Sequence, residues 1–418
     1  MRTGAEGAAA RAASRRLAHL DTLSKNRWLL AVAGALEQRQ DAVLEANQAD
    51  CADARENGLD AYMIDRLLLT PDRLAGMAAD VRAVAALPDP VGEVIEGRTL
   101  PNGMRVERRR VPLGVIGTIY ESRPNVTIDI ASLAVKAGNA VILRGGKEAR
   151  RSNQALGGLL RDAAAATGVP ADAIQVVENS DRALVAEMLR MRDVIDLMVP
   201  RGNAELIRRV YEEATMPVVA GGIGVCHTYV DDTADVPMAV DIVVNAKCRR
   251  YSICNALDTV LVARAAASEA LPAIARALAA RDVELRCDPE ATAIVAGTGV
   301  AATPARESDW GQEFLALVAA VKVVDGIDGA LAHIERYGSG HSEAIVTESH
   351  TNAQRFLAEV DAAAVYVNAS TQFTDGAQFG LGAEVGISTQ KMHARGPLGL
   401  RELTSYKWVV LGAGHTRP

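Results

Sequence analysis

Apolar residues are spaced differently in the first ninety residues than in the rest of the chain. Residues 1–90 place them three or four apart, as in "NRWLLAVAGALEQRQDAVLEANQADCADA", which predicts a run of helices. Two prolines in "LPDPVGE" interrupt this pattern. The next segment, "VIEGRTLPNGMRVERRRVP", alternates polar and apolar positions on either side of Pro-Asn-Gly. That alternation predicts a β-hairpin that protrudes as a two-stranded arm.

From Val111 onward, nearly continuous apolar runs alternate with helical segments. One helical segment is "SNQALGGLLRDAAAATG", which we expect Ser152 to cap and Gly168 to end. Alternation of buried strands with helices is typical of a parallel, doubly wound sheet with helices on both faces. The predicted strands of this first block are "VPLGVIGTIYE", "NAVILRGG", "AIQVVE", "VIDLMVPRG" and "MPVVAGG".

A second block of the same kind begins near His227, so the sequence predicts two α/β domains in one chain. Helices such as "ASEALPAIARALAA" and "NAQRFLAEVD" separate its strands. The segment "ELTSYKWVVLGAGH" near the C-terminus predicts a further strand that must pair elsewhere. The strands of the second block are "HTYVD", "TVLVAR", "VELRC", "VKVVD", "EAIVTE" and "AVYVN".

Composition narrows the class of protein. A chain of 418 residues with 49% hydrophobic content is too long for one core, and it predicts two or three domains. The net charge of −7 comes from mixed acidic and basic residues, which argues against a nucleic-acid surface. No apolar run reaches 18 residues, so no membrane span is expected. The N-terminus loosely resembles a transit peptide, but a surface helix is the favoured interpretation.

Cysteine usage indicates a reducing compartment. The five cysteines are scattered and form no C-x-x-C pair, which argues against a disulfide framework or a zinc site. We therefore expect a cytoplasmic protein without a metal. Motifs of zinc proteases and of P-loop kinases are also absent from the sequence.

Two predicted strand ends in the first block combine glycine with basic residues. They are "LRGGKE", with Arg144, Gly145, Gly146 and Lys147, and "PRGN", from Pro200 to Asn203. Ligands of open parallel sheets bind at the carboxyl ends of strands, and Arg or Lys there suits phosphate oxygens. The G-x-G-x-x-G fingerprint is missing, because "GVIGTIYESRPN" has two glycines and lacks the third. Ordinary polar loops remain the alternative to a phosphate site.

Cys248 and Cys254 lie six residues apart in the basic segment "NAKCRRYSICNA". Lys247, Arg249 and Arg250 would lower the pKa of a nearby thiol and favour the nucleophilic thiolate. Composition alone does not choose between the two cysteines. A papain-like pairing with histidine is disfavoured, because a doubly wound sheet is the wrong scaffold for it. The remaining cysteines are interpreted as small buried hydrophobes, namely Cys51, Cys226 and Cys287.

A glycine-rich stretch from Val367 to Lys407 contains "VNASTQFTDGAQFGLGAEVGISTQKMHARGPLGL". Small and hydroxyl residues at this density form loops in which backbone N–H groups approach a ligand. Its length exceeds ordinary connections, so a binding role is favoured over a plain surface loop.

Long segments of the chain resemble the gamma-glutamyl phosphate reductase family, also called glutamate-5-semialdehyde dehydrogenases, of the aldehyde dehydrogenase superfamily. The similar segments include "RRRVPLGVIGTIYESRPNVT", "KAGNAVILRGGKEA", "NAKCRRYSICNA" and "AHIERYGSGHSEAIVTE". The resemblance implies two doubly wound domains plus a small oligomerisation arm. The expected bounds are 1–93 and 111–225 for the nucleotide-binding domain, 226–390 for the catalytic domain, and 94–110 with 391–418 for the arm.

The resemblance also implies an activity. A member of this family reduces gamma-glutamyl phosphate with NADPH to glutamate-5-semialdehyde and phosphate, a step of proline biosynthesis. The substrate enters between the domains, and a cysteine thiolate forms a thioester with it. The implied partners are the substrate and further copies of this chain, and a contact with glutamate 5-kinase is one more that the family raises. The sequence does not decide whether NADP or NAD is the preferred cofactor, or how many chains the oligomer contains.

Individual roles follow from the same resemblance. Cys254 matches the family's nucleophile, while Cys248, where the family usually has threonine or valine, is a bystander. Asn125 matches the asparagine that holds the oxyanion. The cofactor residues implied are Arg144, Gly145, Gly146, Lys147, Arg201, Gly202 and Glu313, and the substrate residues are Asn255, His341, Ser370 and Thr371.

One absence and three departures qualify this assignment. Hydrolytic aldehyde dehydrogenases carry a water-activating glutamate where this chain reads "VAGGIG". Gln372 replaces a frequent arginine, Tyr251 replaces a frequent proline, and "RGNAE" replaces "RGGAG", which leaves the role of Asn203 open. If the arginine at position 372 binds the substrate carboxylate in the family, another cation must do so here. A hydrolytic aldehyde dehydrogenase and a non-catalytic nucleotide-binding protein are the alternatives.

Overall fold

The helical periodicity of the first ninety residues produces five successive helices, and further helices follow between strands. The computed structural model describes residues 3–177 and 182–417. Short 3₁₀ turns occupy Lys147–Ala149, Ala171–Ala173, Glu307–Asp309 and Thr371–Phe373. The helices are α1 Thr3–Leu17, α2 Thr22–Gln38, α3 Gln40–Glu56, α4 Ala61–Leu67, α5 Pro71–Ala86, α6 Asn125–Lys136, α7 Arg150–Thr167, α8 Arg182–Met188, α9 Ala204–Glu213, α10 Val236–Cys248, α11 Arg264–Ala279, α12 Pro289–Ala296, α13 Gly326–Tyr337 and α14 His350–Glu359.

The strands of the described residues form four sheets, of which the two larger ones are parallel and the two smaller ones antiparallel. All six strands predicted for the second block are present. The strands are β1 Val94–Thr99, β2 Arg105–Pro112, β3 Val115–Tyr120, β4 Ala140–Gly145, β5 Ile174–Val176, β6 Leu197–Arg201, β7 Cys226–Val230, β8 Leu257–Ala263, β9 Glu284–Cys287, β10 Ala302–Pro304, β11 Val318–Val324, β12 Ser342–Val346, β13 Ala364–Val367, β14 Ile387–Ser388, β15 Gly396–Pro397 and β16 Thr404–Leu411.

The chain divides into two compact units whose bounds differ from the predicted domains. Unit 1 comprises Met1–Ala220, Gly380–Gly386 and Leu398–Pro418, and unit 2 comprises Gly221–Phe379 and Ile387–Pro397. The main division thus falls five residues before the predicted one. Of the segment predicted as arm, 391–397 lies in unit 2 and 398–418 in unit 1.

Unit 1 contains a four-stranded parallel sheet in the order β5-β4-β3-β6. Strand β3 is buried along its whole length, as its continuous apolar run predicts. The chain adds β4 and β5 on one side of β3 and then returns to place β6 on the other. Strand order therefore reverses beside β3, which is where ligands bind in sheets of this kind.

Two local predictions for unit 1 were wrong. "MPVVAGG" forms an isolated bridge between Met198 and Val218 instead of a strand, because Pro217 has no N–H to donate and glycines follow. Ser152 lies inside α7, which begins at Arg150. Its backbone N–H and hydroxyl donate to the Asp50 carboxylate of α3 at 2.8 and 2.7 Å. Gly168 ends the helix in the left-handed conformation, as expected.

The predicted arm is a three-stranded antiparallel sheet in the order β1-β2-β16 within unit 1. The Pro-Asn-Gly turn joins β1 to β2, and Gly103 takes the positive φ of 88° that the turn requires. Strand β16 pairs along the full length of β2, with Trp408 opposite Arg108. The strand predicted near the C-terminus therefore completes the arm. Within residues 3–177 and 182–417, no helix is long and apolar enough to cross a membrane.

Unit 2 is built on a seven-stranded parallel sheet in the order β10-β9-β11-β8-β7-β12-β13. Central strand β8 is buried at every position, and helices α10, α11 and α12 cover an apolar cluster on one face. Both units therefore have the doubly wound α/β architecture of the predicted fold class. Segment 249–256, which contains Cys254, connects α10 to β8.

Candidate active site

The two basic strand ends predicted in unit 1 flank the same strand. Tyr120, the last residue of β3, pairs with Gly145 of β4 on one side and with Arg201 of β6 on the other. Parallel pairing aligns the carboxyl ends of all three strands at one edge of the sheet. The sequence reasoning therefore found residues that the fold brings together, at the point where strand order reverses.

The glycines at the end of β4 leave little room for a Cβ beside neighbouring side chains. A Cβ on Gly145 would lie 2.0 Å from Nδ2 of Asn153, and a Cβ on Gly146 would lie 2.1 Å from a carboxylate oxygen of Glu148. That carboxylate accepts hydrogen bonds from the backbone N–H and hydroxyl of Ser122, at 2.7 and 3.0 Å. These contacts tie the loop after β4 to the loop after β3.

The basic side chains at this edge differ in exposure. Arg144 is buried to 8% exposure, whereas Lys147, in the following 3₁₀ turn, is exposed. Arg201 is half-buried. An exposed ammonium and a buried guanidinium at one strand end are donor types that bind phosphate oxygens. The donors at this edge therefore fit the phosphates of a dinucleotide.

Asn203 has a structural role that the sequence left open. Its side chain caps α9 by accepting the backbone N–H of Leu206 at 2.8 Å. Its own N–H donates to Glu121 at 3.2 Å, and a Cβ on Gly202 would lie 2.7 Å from the same carboxylate. The "PRGN" loop is thus held by a helix cap and by one acidic side chain.

Asn125, the predicted oxyanion ligand, is the first residue of α6, directly after the β3 loop. Its Nδ2 donates to Asp129 one turn later, at 2.8 Å. Desolvation raises the pKa of Asp129 to about 7, and the hydrogen bond from Asn125 opposes this rise. An amide nitrogen carries two hydrogens, so Asp129 orients the group and leaves the second hydrogen for another acceptor. The i, i+4 spacing could have identified Asp129 from the sequence.

Cys254 of unit 2 lies in the segment that joins α10 to β8 and is half-buried. Gly224 packs directly on its backbone, because a Cβ there would lie 1.6 Å from the Cys254 carbonyl oxygen. The N–H of Gly224 donates to Glu313 at 3.1 Å. Glu313, predicted to bind the cofactor, therefore also fixes the loop that supports the nucleophile.

The other cysteines of unit 2 are poorly suited to attack. Burial raises the pKa of Cys248, which packs against the apolar cluster under α10, although Arg281 and Lys247 oppose the rise. Burial also raises the pKa of Cys226 and Cys287 well above the usual thiol range. Cys226 donates its S–H to the Cys254 carbonyl oxygen at 3.3 Å. Cys226 thus contributes to the nucleophile's backbone rather than to its thiol.

Ser370 and Thr371, predicted to bind substrate, belong to a buried 3₁₀ turn that is hydrogen-bonded to Asn255, another predicted substrate residue. The Asn255 amide donates to the backbone oxygens of Gln372 and Thr374, at 3.3 and 3.0 Å. The Thr371 hydroxyl donates to the Asn255 carbonyl at 2.7 Å, and Ser370 caps the 3₁₀ turn. This 3₁₀ turn belongs to the glycine-rich stretch, so the stretch contacts the residue next to Cys254, while its binding role stays a prediction.

His341 lies in a chain of buried polar groups beside β12. Its Nδ1 is 2.8 Å from the Ser342 hydroxyl, which is 2.6 Å from the hydroxyl of Thr374. Nδ1 is also 4.0 Å from the sulfur of Cys226. Burial lowers the pKa of His341 to about 4, so its ring is neutral near pH 7. The described contacts of His341 are with Ser342 and Cys226, and Cys226 in turn donates to the Cys254 carbonyl oxygen.

A buried ion pair connects α10 and β8, the two elements on either side of the Cys254 segment. Lys247 Nζ lies 3.6 Å from Asp258, and both side chains are nearly or completely inaccessible. Desolvation raises the pKa of Asp258 to about 7 and lowers that of Lys247, while each charge opposes the shift of the other. Asp258 also accepts the backbone N–H of Phe314, next to Glu313. Sequence reasoning missed Asp258, which looks like an ordinary strand residue, and missed the contact of Gly224.

Comparisons with known proteins show which family the chain resembles over nearly its whole length. The aldehyde dehydrogenase family pattern matches residues 5–296. A gamma-glutamyl phosphate reductase of Roseiflexus castenholzii is 58% identical over 98% of both chains. The crystal structure of such a reductase from Thermotoga maritima superposes with a TM-score of 0.97, at 46% identity over 100% of both chains.

A more distant structure shares the fold alone. An engineered glycolyl-CoA reductase with bound NADP⁺ matches with a TM-score of 0.69 at 16% identity, over 98% of this chain and 96% of its own. The family pattern spans more than half of the chain, and the reductases match the chain itself nearly end to end. The chain therefore belongs to the aldehyde dehydrogenase family and, within it, to the gamma-glutamyl phosphate reductases.

Proposed function

We propose that this chain reduces gamma-glutamyl phosphate to glutamate-5-semialdehyde and phosphate in proline biosynthesis, with Cys254 as the nucleophile. The observation that carries the proposal is the loop that packs on Cys254. It reads Gly-Gly-Ile-Gly, and its last glycine lies against the Cys254 backbone without a side chain. A loop of this composition offers no general base to activate water against a thioester, so phosphate exchange is favoured over hydrolysis.

The covalent step begins with the Cys254 thiolate. Its sulfur attacks the acyl carbon of the substrate, the bond from that carbon to the phosphate oxygen breaks, and inorganic phosphate leaves. The product is a thioester on Cys254. Backbone N–H groups near Cys254 and the Asn125 amide are proposed to hold the oxyanion of the tetrahedral intermediate. Asp129 would keep the Asn125 amide in one orientation.

The cofactor is proposed to be NADP(H), bound at the sheet edge of unit 1. Arg144, Lys147 and Arg201 would supply the cations, and the adjacent glycines allow close backbone packing. Glu313 is proposed to contact the nicotinamide ribose. When bound there, the reduced cofactor would supply the hydride that the thioester carbon on Cys254 accepts. The carbonyl group then re-forms as the carbon–sulfur bond breaks, which releases the aldehyde. Protonation of the departing sulfur restores the Cys254 thiol. The NADP⁺ in the glycolyl-CoA reductase of the same fold supports this choice.

Activity in the oxidative direction tests the proposal. Glutamate-5-semialdehyde and NADP⁺ are supplied with and without phosphate, and absorbance of the reduced cofactor is followed. We expect reduction of NADP⁺ that requires phosphate. Equal rates without phosphate would make water the acyl acceptor and favour a hydrolytic aldehyde dehydrogenase. Absence of any reduction would favour a nucleotide-binding protein without this activity.

The assembly is also a proposal. Strand β16 exposes Tyr406, Trp408 and Val410, each about half-accessible, along the arm. An apolar row on a sheet of this kind is typical of a subunit contact, so we propose a homo-oligomer formed through the arm. Light scattering of the wild type and of a Trp408→Glu variant measures this. A mass equal to one chain for the wild type would contradict it.

A further inference from the structure

Gln372 is buried and uses both ends of its amide. Its Nε2 donates to the carbonyl oxygens of Ala246 and Arg250, at 2.9 and 3.1 Å. Its Oε1 accepts a hydrogen bond from Nη1 of Arg249 at 3.1 Å. Two of these contacts fix the end of α10 and the turn after it, and the third fixes the guanidinium of Arg249. An arginine at position 372 has no acceptor and could not hold a second guanidinium in this way.

The residues that Gln372 holds lie in the segment that contains the nucleophile. The backbone oxygen of Gln372 accepts the amide of Asn255, which directly follows Cys254. Thr371, beside Gln372, donates to the carbonyl of Asn255. One buried 3₁₀ turn therefore positions both Asn255 and the Arg249 guanidinium. Arg249 is exposed, and its hydrogen bond to Gln372 ties the guanidinium to the same turn that contacts Asn255.

The charge of Arg249 has no acidic partner among the described residues. Within residues 3–177 and 182–417, no carboxylate lies within ion-pair distance of its guanidinium, and its side chain donates to a neutral amide. Lys247, two residues earlier, is instead buried against Asp258. An arginine that is oriented by a buried amide but unneutralised by protein is prepared to bind an anion from solution.

We infer that Arg249, oriented by Gln372, binds the α-carboxylate of the substrate. The inference rests on the proposed function and adds the group that distinguishes a glutamyl chain from other acyl chains. Phosphate departs from the carbon that Cys254 attacks, so its ligands must surround the thiol. The α-carboxylate lies four carbon–carbon bonds away, and Arg249 is held on the Gln372 side of Asn255. The planar guanidinium matches a carboxylate through two parallel hydrogen bonds.

The test compares two aldehydes that differ in the carboxylate alone. Glutamate-5-semialdehyde carries it, and 4-aminobutanal is the same molecule with hydrogen in its place; both cyclise to imines, so the same correction applies. For Arg249→Ala we expect KM for glutamate-5-semialdehyde to rise roughly 10- to 100-fold, as for loss of a charged hydrogen-bonded pair. KM for 4-aminobutanal and for phosphate should change by less than about twofold. Arg249→Lys should recover part of the loss, because it keeps the charge but not the fork.

Arg250→Ala is the matched control, since Arg250 is the adjacent exposed arginine whose backbone, and not its side chain, meets Gln372. Equal effects of the two alanine variants would overturn the inference, as would an equal loss with both aldehydes. A rise confined to KM for phosphate would assign Arg249 to the phosphate instead and would also overturn it. A wild type that reduces NADP⁺ without needing phosphate would overturn the proposed function itself, and the two failures are distinguishable.

Discussion

The sheet edge of unit 1 and the Cys254 segment of unit 2 hold their functional groups in opposite ways. At the sheet edge, Lys147 is exposed and Arg201 half-buried, and their charges reach solvent. Around Cys254, the supporting groups Asn255 and Thr371 are buried; Thr371 donates to the Asn255 carbonyl, and Asn255 donates to the backbone of the turn that contains Thr371. Charged side chains in solvent attract a ligand and can be substituted with little effect on the structure. In a buried network, displacement of one group also shifts the groups bonded to it, here toward Cys254. Substitutions of the exposed cations at the sheet edge should therefore affect binding, and substitutions within the buried network around Cys254 should affect turnover.

The largest effect should come from the nucleophile itself. Cys254→Ala is expected to lower kcat by roughly three orders of magnitude or more, because no thioester can form. Cys248→Ala should keep most of the activity, since burial raises the pKa of that thiol and its contacts are with the apolar cluster. Steady-state rates and mass spectrometry of the acylated protein measure this. Equal losses in the two variants would contradict the assignment.

Gly224→Ala should come next, and it tests how tightly the buried network is coupled to the thiol. The added Cβ would lie 1.6 Å from the Cys254 carbonyl oxygen, so the backbone of the nucleophile must move. A shift of about 1 Å costs on the order of 100-fold in kcat. Gly222→Ala is the control, because its Cβ would meet the Thr389 side chain at 3.2 Å, which can yield. A Gly224→Ala enzyme with normal kcat would show that the segment is not rigid.

Lys147→Ala tests the exposed sheet edge of unit 1. The side chain is exposed, so the melting temperature should stay unchanged. Loss of one charge near a cofactor phosphate should raise KM for NADP⁺ about 10-fold and leave kcat nearly intact. NAD⁺ serves as the matched ligand, because its KM should change much less if Lys147 contacts the 2′-phosphate. An unchanged preference between NADP⁺ and NAD⁺ would place the phosphate elsewhere.

The last effect concerns the acid stability of unit 2 and leaves turnover near pH 7 unchanged. Burial is the main cause that lowers the pKa of His333, from an ordinary 6.5 to about 3. Between those values the unfolded chain binds this proton and the folded chain does not, so stability falls as pH decreases from 6.5 toward 3. His333→Gln should reduce the slope of the unfolding free energy against pH by up to about 1.4 kcal/mol per pH unit in that window. Urea unfolding at several pH values measures it, and parallel curves for the two proteins would refute the shift.

The sequence predicted more of the architecture than of the contacts. Alternating runs located nearly every strand of both sheets, because burial on two faces demands continuous apolar segments. It failed at "MPVVAGG", where Pro217 removes a donor, and at Ser152, where the partner Asp50 lies about 100 positions earlier in the chain. Local patterns do not encode which distant side chain will satisfy a backbone group.

The candidate site shows the same division. Residues with reactive or charged groups, such as Cys254 and Lys147, are recognisable from their neighbours in sequence. The groups that position them are ordinary in sequence: Gly224 is one glycine of several, and Gln372 looked like a departure to be explained. Their roles depend on long-range contacts to Cys254 and Arg249, which exist only once the sheets have assembled.

The pairing of β16 with β2 has a consequence for synthesis of the protein. Trp408 lies opposite Arg108, so 300 residues separate partners in one small sheet. At roughly 5–20 residues per second, β2 waits about 15–60 s for its second neighbour to be translated. During that time one edge of β2 offers unpaired N–H and C=O groups to other nascent chains. We expect the yield of folded protein to depend on translation speed and on chaperones that shield β2 until β16 arrives.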